Sequence, residues 1–118
     1  MDRAPLRRHG VGEFLSQAVV HGDTVYVAGQ LAADGGASVA DETRAILRQI
    51  DAVLDEAGSD RSRLLSVSIY LVDIADFAEM NATWIEWLDG TAPPARVTTQ
   101  SALANPERRV EIAAVAAR

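Results

Sequence analysis

Two charged residues stand where the neighbouring sequence asks for a buried sheet, and they define the chemistry open to this chain. Arg96 lies in Pro93-Pro94-Ala95-Arg96-Val97-Thr98-Thr99-Gln100, and Glu111 in Val110-Glu111-Ile112-Ala113-Ala114-Val115-Ala116. Both stretches read as strands from their β-branched and small apolar residues. A charge desolvated in such a setting is costly unless it is paired, so each needs a partner or a task. The plain alternative is that the two pair with each other or reach solvent, where an ion pair contributes little.

The elements that must position them follow from periodicity. Residues 1–13, with Pro5, Gly10, Gly12 and little patterning, read as an N-terminal arm. Ser16–Val20 and Thr24–Ala28 are β-rich runs joined by His21-Gly22-Asp23, which predicts a hairpin with a three-residue connection. Gly29 ends the second run, where a missing Cβ permits a bulge or the close approach of another group, or else a simple kink. A helix is expected from Val39 to Ala57, since Ile46, Ile50, Val53, Leu54 and Ala57 fall at helical spacing and Gly58 stands where a cap belongs. Its charged residues, Asp41, Glu42, Arg44, Arg48, Asp51 and Asp55, are assigned to solvent.

Leu64 to Val72 alternates Val67, Ile69 and Leu71 with Ser66, Ser68 and Tyr70, the pattern of a strand with one core face. A second helix begins near Asp73 or Asp76, with Asp76-Phe77-Ala78-Glu79 resembling a capping box. Phe77, Met80, Trp84, Trp87 and Leu88 form its core stripe, and Asn81 reads as a surface residue. Gly90 to Pro94 breaks this helix and feeds the Arg96 strand, and the last strand runs from Arg109 to about Ala116. The order ββ-α-β-α-ββ gives an α+β fold, a sheet with two helices on one face. If Val25, Val27, Val97 and Ile112 line the other face, a second copy of the chain is its obvious cover.

Composition removes several function classes. In 118 residues, 48% hydrophobic and 24% charged, the chain is a single globular domain. The net charge of -6 disfavours nucleic-acid backbones, and the one basic cluster, Arg3, Arg7 and Arg8, reads as solvated. Lysine and cysteine are both absent, which excludes lysine Schiff bases, disulfides and thiolate nucleophiles or metal sites. His9 and His21 are too few for a histidine metal centre, and neither is placed for catalysis. No apolar run suits a membrane span and the start lacks a signal-peptide core, so the expected location is cytoplasmic.

Five stretches, taken in order, resemble the RidA family of reactive-intermediate deaminases, also called the YjgF-type or endoribonuclease L-PSP family. They are Ser16-Gln17-Ala18-Val19, Val25-Tyr26-Val27-Ala28-Gly29-Gln30, Val72 to Phe77 with Met80-Asn81, Pro94-Ala95-Arg96 and Val110-Glu111-Ile112. The resemblance covers nearly the whole chain and implies a chorismate-mutase-like fold and a homotrimer with active sites between subunits. It implies hydrolysis of enamines and imines to a 2-oxo acid and ammonia, with no cofactor in the deaminase. Arg96 matches the family's carboxylate-binding arginine, and Glu111 the glutamate that places the attacking water. Gly29 matches a glycine lining the pocket, Thr98 a pocket position, and Asn81 a supporting helix residue.

The chain departs from that pattern at three places. Leu15 stands where many imine deaminases have a pocket tyrosine, Thr98 replaces a cysteine, and Ala113 replaces a second acidic residue. Losing a hydroxyl from a pocket wall changes which polar substrate groups can be satisfied. The leading reading is therefore a deaminase of small 2-imino acids, with Arg96 as anchor and Glu111 as water-positioning residue. A non-catalytic trimer that binds a small carboxylate or 2-oxo acid and reports it to a partner is the alternative. Ribonuclease activity, suggested by one family name, is disfavoured by the acidity and the lack of paired catalytic histidines.

Overall fold

The computed structural model describes residues 3–118. Six strands and two helices occur in the order β1 (Leu6–Val11), β2 (Ser16–His21), β3 (Thr24–Gln30), α1 (Val39–Glu56), β4 (Leu64–Leu71), α2 (Phe77–Leu88), β5 (Ala95–Gln100) and β6 (Val110–Ala117). The strands form one sheet in the order β1-β2-β3-β6-β4-β5. All neighbours are antiparallel except β4 and β5, which are parallel. This is the α+β architecture expected, a mixed sheet with both helices against one face.

Alternation decides which residues meet the helices. Paired residues on adjacent strands share a face, and the pairs Val25–Ala116, Val27–Ala114, Ile69–Ile112 and Leu71–Val110 are all buried. They pack on Ile46, Leu47, Ile50 and Leu54 of α1 and Met80, Trp84 and Leu88 of α2. The opposite face carries Val19, Tyr26, Ala113, Val115 and Val97, with Tyr26 and Val97 about half exposed. The expectation that Val25, Val27 and Ile112 line the open face is thus corrected; of the four residues named, only Val97 does. Strand parity is fixed by which residues oppose one another, and that pairing is not visible within a single run.

Other boundaries also differ from the expected ones. Much of the segment read as an arm is the edge strand β1, paired residue by residue from Leu6 opposite His21 to Val11 opposite Ser16; Met1 and Asp2 lie outside the described residues. An edge strand exposed on both faces needs no hydrophobic period, which is why none is seen. His9 contacts Glu56 of α1 at 3.3 Å. The β2–β3 connection is a two-residue turn, because His21 pairs with Thr24 and Gly22 supplies a φ of 60°.

Helix α1 begins where Ser38 accepts a bond from the Asp41 N–H at 3.1 Å and ends before Gly58, whose φ is 84°. Two of its charges are not solvated as expected. Glu42 is fully buried, and Asp51 accepts from Arg61 at 2.6 Å and from the Trp87 indole at 2.9 Å. The capping box of α2 does not form: Asp76 makes no capping bond, and the Glu79 carboxylate instead accepts from the Ala40 N–H at 2.9 Å.

Candidate functional site

The sheet distributes the candidate residues into two groups on opposite faces. Arg96 is opposite Val67 and Thr98 opposite Ile69, so both point to the helix side. Glu111 is opposite Tyr70 and alternates with buried Val110 and Ile112, which turns it to the open face. Strand β4 separates the strands that carry Arg96 and Glu111. Among the described residues no ion pair joins the two. Within one chain, therefore, Arg96 and Glu111 do not form a mutual structural pair.

Arg96 is held by one face of α2. Its Nη1 donates to the Asn81 side-chain oxygen at 2.8 Å, and its guanidinium carbon lies 5.3 Å from the Trp84 ring centre and 5.6 Å from that of Phe77. Residues 77, 81 and 84 are spaced by four and three, which places them on adjacent turns of one helical face. Aromatic faces attract a guanidinium by about 0.5–2 kcal/mol each, depending on desolvation. Partial burial pushes the Arg96 pKa below its ordinary value, the direction in which desolvation of a cation acts. A guanidinium keeps its charge at neutral pH regardless. No carboxylate pairs with it among the described residues and one nitrogen is committed to Asn81, so the rest of the Arg96 fork is left without a charged partner. A hollow of about 300 Å³ lies on the reverse, open side of the same strands, against Ser66, Ser68, Ala95 and Val97.

Asn81 is therefore not the plain surface residue its position suggested. Phe77 and Trp84 were assigned to the core stripe; Trp84 is buried, but both also flank Arg96, and their shared face with Asn81 was the available signal. Thr98, two residues along the same strand face, has a buried hydroxyl with no hydrogen-bond partner in the protein. A buried hydroxyl left unpaired costs about 1–3 kcal/mol, which a bound polar group would offset.

The second group gathers at one end of the sheet. Between Val27, paired with Ala114, and Gln30, paired with Ile112, β3 carries one residue more than β6. That bulge turns Gly29 toward the open face. A Cβ at Gly29 would lie 2.5 Å from Glu111 Oε2 and 3.0 Å from its carboxyl carbon, so the Glu111 side chain occupies the space a larger residue would take. Both readings open to this glycine, a bulge and a close approach, hold together. Leu15 is half exposed in the β1–β2 connection beside fully presented Phe14. It adjoins this end of the sheet, since Gln30 donates to Gln17 at 2.8 Å.

A larger hollow, about 690 Å³, opens between residues 33–36 and α1 around Arg44, Arg48 and Gln49. It touches neither group and holds no desolvated charge, so it is set aside as a reaction site. Among the described residues no three His, Cys, Asp or Glu side chains cluster as metal ligands would. No helix among them is long and apolar enough to cross a membrane.

Comparison with known proteins agrees with this architecture. Residues 9–118 match the family model described as endoribonuclease L-PSP. The RutC family protein YoaB of Escherichia coli K12 is 41% identical over 102 residues, covering 86% of this chain and 89% of that protein. A RutC family protein of Haemophilus influenzae is 37% identical over 105 residues, with the same coverage of 86% and 89%. The crystal structure of a YjgF family member from Neisseria meningitidis superposes with a TM-score of 0.95 at 36% identity, over 99% of this chain and 98% of that one. Sequence and fold together place the chain in the endoribonuclease L-PSP family, the group to which the RutC and YjgF names also belong.

Proposed function

We propose that the chain hydrolyses small 2-imino acids, and the enamines that tautomerise to them, to 2-oxo acids and ammonia at sites formed between copies of a homotrimer. The observation that carries this reading is the division of the site. A partly desolvated guanidinium without a carboxylate partner among the described residues lies on one sheet face, and a carboxylate backed by Gly29 lies on the other. Neither group makes a complete site alone, and a neighbouring copy can supply the missing half. The exposed apolar residues Tyr26 and Val97 on the open face favour such a contact, and the number three follows the family resemblance.

In this reading the Arg96 fork holds the substrate carboxylate, with Asn81, Phe77 and Trp84 fixing the guanidinium plane. Glu111 accepts a proton from water as the water oxygen bonds to the imine carbon. The C=N electron pair moves to nitrogen, which takes up a proton. The carbinolamine hydroxyl then gives up its proton and the amine nitrogen takes one up, so that the C=O bond forms as the C–N bond breaks and ammonia leaves. Leu15 and Ala113 leave the pocket fewer polar groups, which favours substrates whose side chain is small and apolar.

The test generates imines in situ with an amino-acid dehydratase or oxidase and follows semicarbazone formation. The protein is expected to suppress semicarbazone by consuming imine first. A ligand-induced rise in melting temperature with 2-oxo acids, but no suppression with any imine, would instead identify a binding protein. Gly29→Ala provides an internal check on the second half-site. Its Cβ collides only with the far end of the Glu111 side chain, so the fold should persist while kcat falls about 10–100-fold through a displaced carboxylate. Unchanged kcat in that variant would remove Glu111 from the chemistry.

A further inference from the structure

The strands that carry Gly29 and Glu111 lose their regular pairing where their alignment matters most. The extra residue at Ala28-Gly29 interrupts the β3–β6 ladder, so ladder bonds alone do not set the carboxylate over the glycine. Two consecutive arginines at the entry to β6 tie the strands together from outside it. Arg108 donates through Nε to the Ala32 carbonyl at 2.8 Å and through Nη2 to the Ala33 carbonyl at 3.3 Å. Arg109 donates through Nη1 to the Gly36 carbonyl at 3.1 Å and to the Glu42 carboxylate.

Glu42 is the fixed point of this tie. It is fully buried in the first turn of α1, and its Oε1 also accepts the backbone N–H of Arg109 at 2.8 Å. The Arg109 carbonyl accepts from the Val72 N–H at 3.0 Å, so that residue is clamped through its amide, its carbonyl and its side chain. Residues 32–36 pack closely on the same turn: a Cβ at Gly36 would lie 3.0 Å from Asp41 Cβ and from the Glu42 nitrogen. The end of β3, the following loop and the start of α1 are thus closed back onto β6 two residues before Glu111. Only Glu42 of this pair is buried, the Arg109 side chain being nearly half exposed. An ion pair that desolvates a carboxylate contributes little net stability compared with apolar side chains of similar volume, so stability alone gives a weak reason for its presence.

We propose that Glu42, acting through Arg109, is a positioning residue that holds the Glu111 carboxylate against Gly29. This rests on the deaminase reading for its kinetic consequence, but its geometry is independent of that reading. The test compares wild type, Glu42→Gln and the double variant Glu42→Met/Arg109→Met in the coupled imine assay. Glutamine keeps the volume and an acceptor for the Arg109 N–H while removing the charged bond. Its kcat is expected to fall about 10-fold, with KM within about twofold of wild type, because misplacement affects the reacting group and leaves the Arg96 anchor on the opposite face untouched. The double variant removes the ion pair without stranding a charge but deprives the Arg109 N–H of its acceptor, so it should lower the melting temperature modestly while showing the same loss of kcat in the folded protein.

Wild-type kcat in both variants would overturn the proposal and leave the deaminase reading standing. If wild type itself turns over no imine, the deaminase reading fails, and the 13C resonance of the Glu111 carboxylate decides the positioning claim. A displaced resonance in Glu42→Gln supports it. An unmoved one overturns it.

Discussion

Replacing Arg96 with alanine is expected to reduce kcat/KM for a small 2-imino acid by about 10²–10⁴-fold while the fold persists. Two charge-assisted hydrogen bonds from the guanidinium to the substrate carboxylate contribute about 1.5–3 kcal/mol each, and every 1.36 kcal/mol is about tenfold in rate. The fold should tolerate the change because Arg96 is only half buried on the edge strand β5 and its losses are one bond to Asn81 and two ring contacts. Arg96→Lys should recover part of the loss: the charge returns, but neither the fork nor the stacking on Trp84 does. Steady-state kinetics with thermal melting on each variant separates the two effects. Near-wild-type kcat/KM in a folded Arg96→Ala protein would remove the anchor from the mechanism.

Glu111→Gln is expected to lower kcat by about 10²–10⁴-fold with little change in KM, the range that general-base assistance contributes. Glutamine preserves the volume against Gly29 and the position on β6, and loses the ability to take a proton from water. The split between kcat and KM follows from where the residue sits. In the proposed mechanism substrate binding relies on Arg96, which belongs to the other sheet face. Because Gly29 acts only through the carboxylate it faces, adding Gly29→Ala to Glu111→Gln should cost far less than Gly29→Ala costs alone. Additive losses in that cycle would mean that Gly29 contributes something other than room for the glutamate.

The sequence made the elements legible and hid their sidedness. Periods of two and 3.6 located β4, α1 and α2 to within a few residues, because each buries one face against the core. β1 was missed because an edge strand exposed on both sides has no such pattern. The open face was assigned to Val25, Val27 and Ile112 because parity depends on pairing, and the bulge at Ala28-Gly29 shifts that parity again. Gly29 was identified through the physical meaning of a glycine at a strand end, and the structure gives it both a bulge and a carboxylate neighbour. Phe77 and Trp84 were absorbed into the core stripe, although their spacing with Asn81 already described a clamp. Glu42 could not be separated from the charged face of α1 by pattern alone, since its partner Arg109 lies 67 positions away. With Ile112 assigned to the open face, alternation would turn Glu111 toward the helices; only the strand pairing reverses that and places it across from Arg96.

That separation yields the most direct test of the account. Arg96→Ala and Glu111→Gln chains, each inactive alone, are dissociated, mixed in equal amounts and allowed to reassemble. If the reacting groups come from different copies, random mixing makes about one site in four with both groups intact, so about a quarter of wild-type imine hydrolysis should return. If both groups serve the same site from one chain, every site carries a lesion. Mixed assemblies that regain no activity would contradict the account.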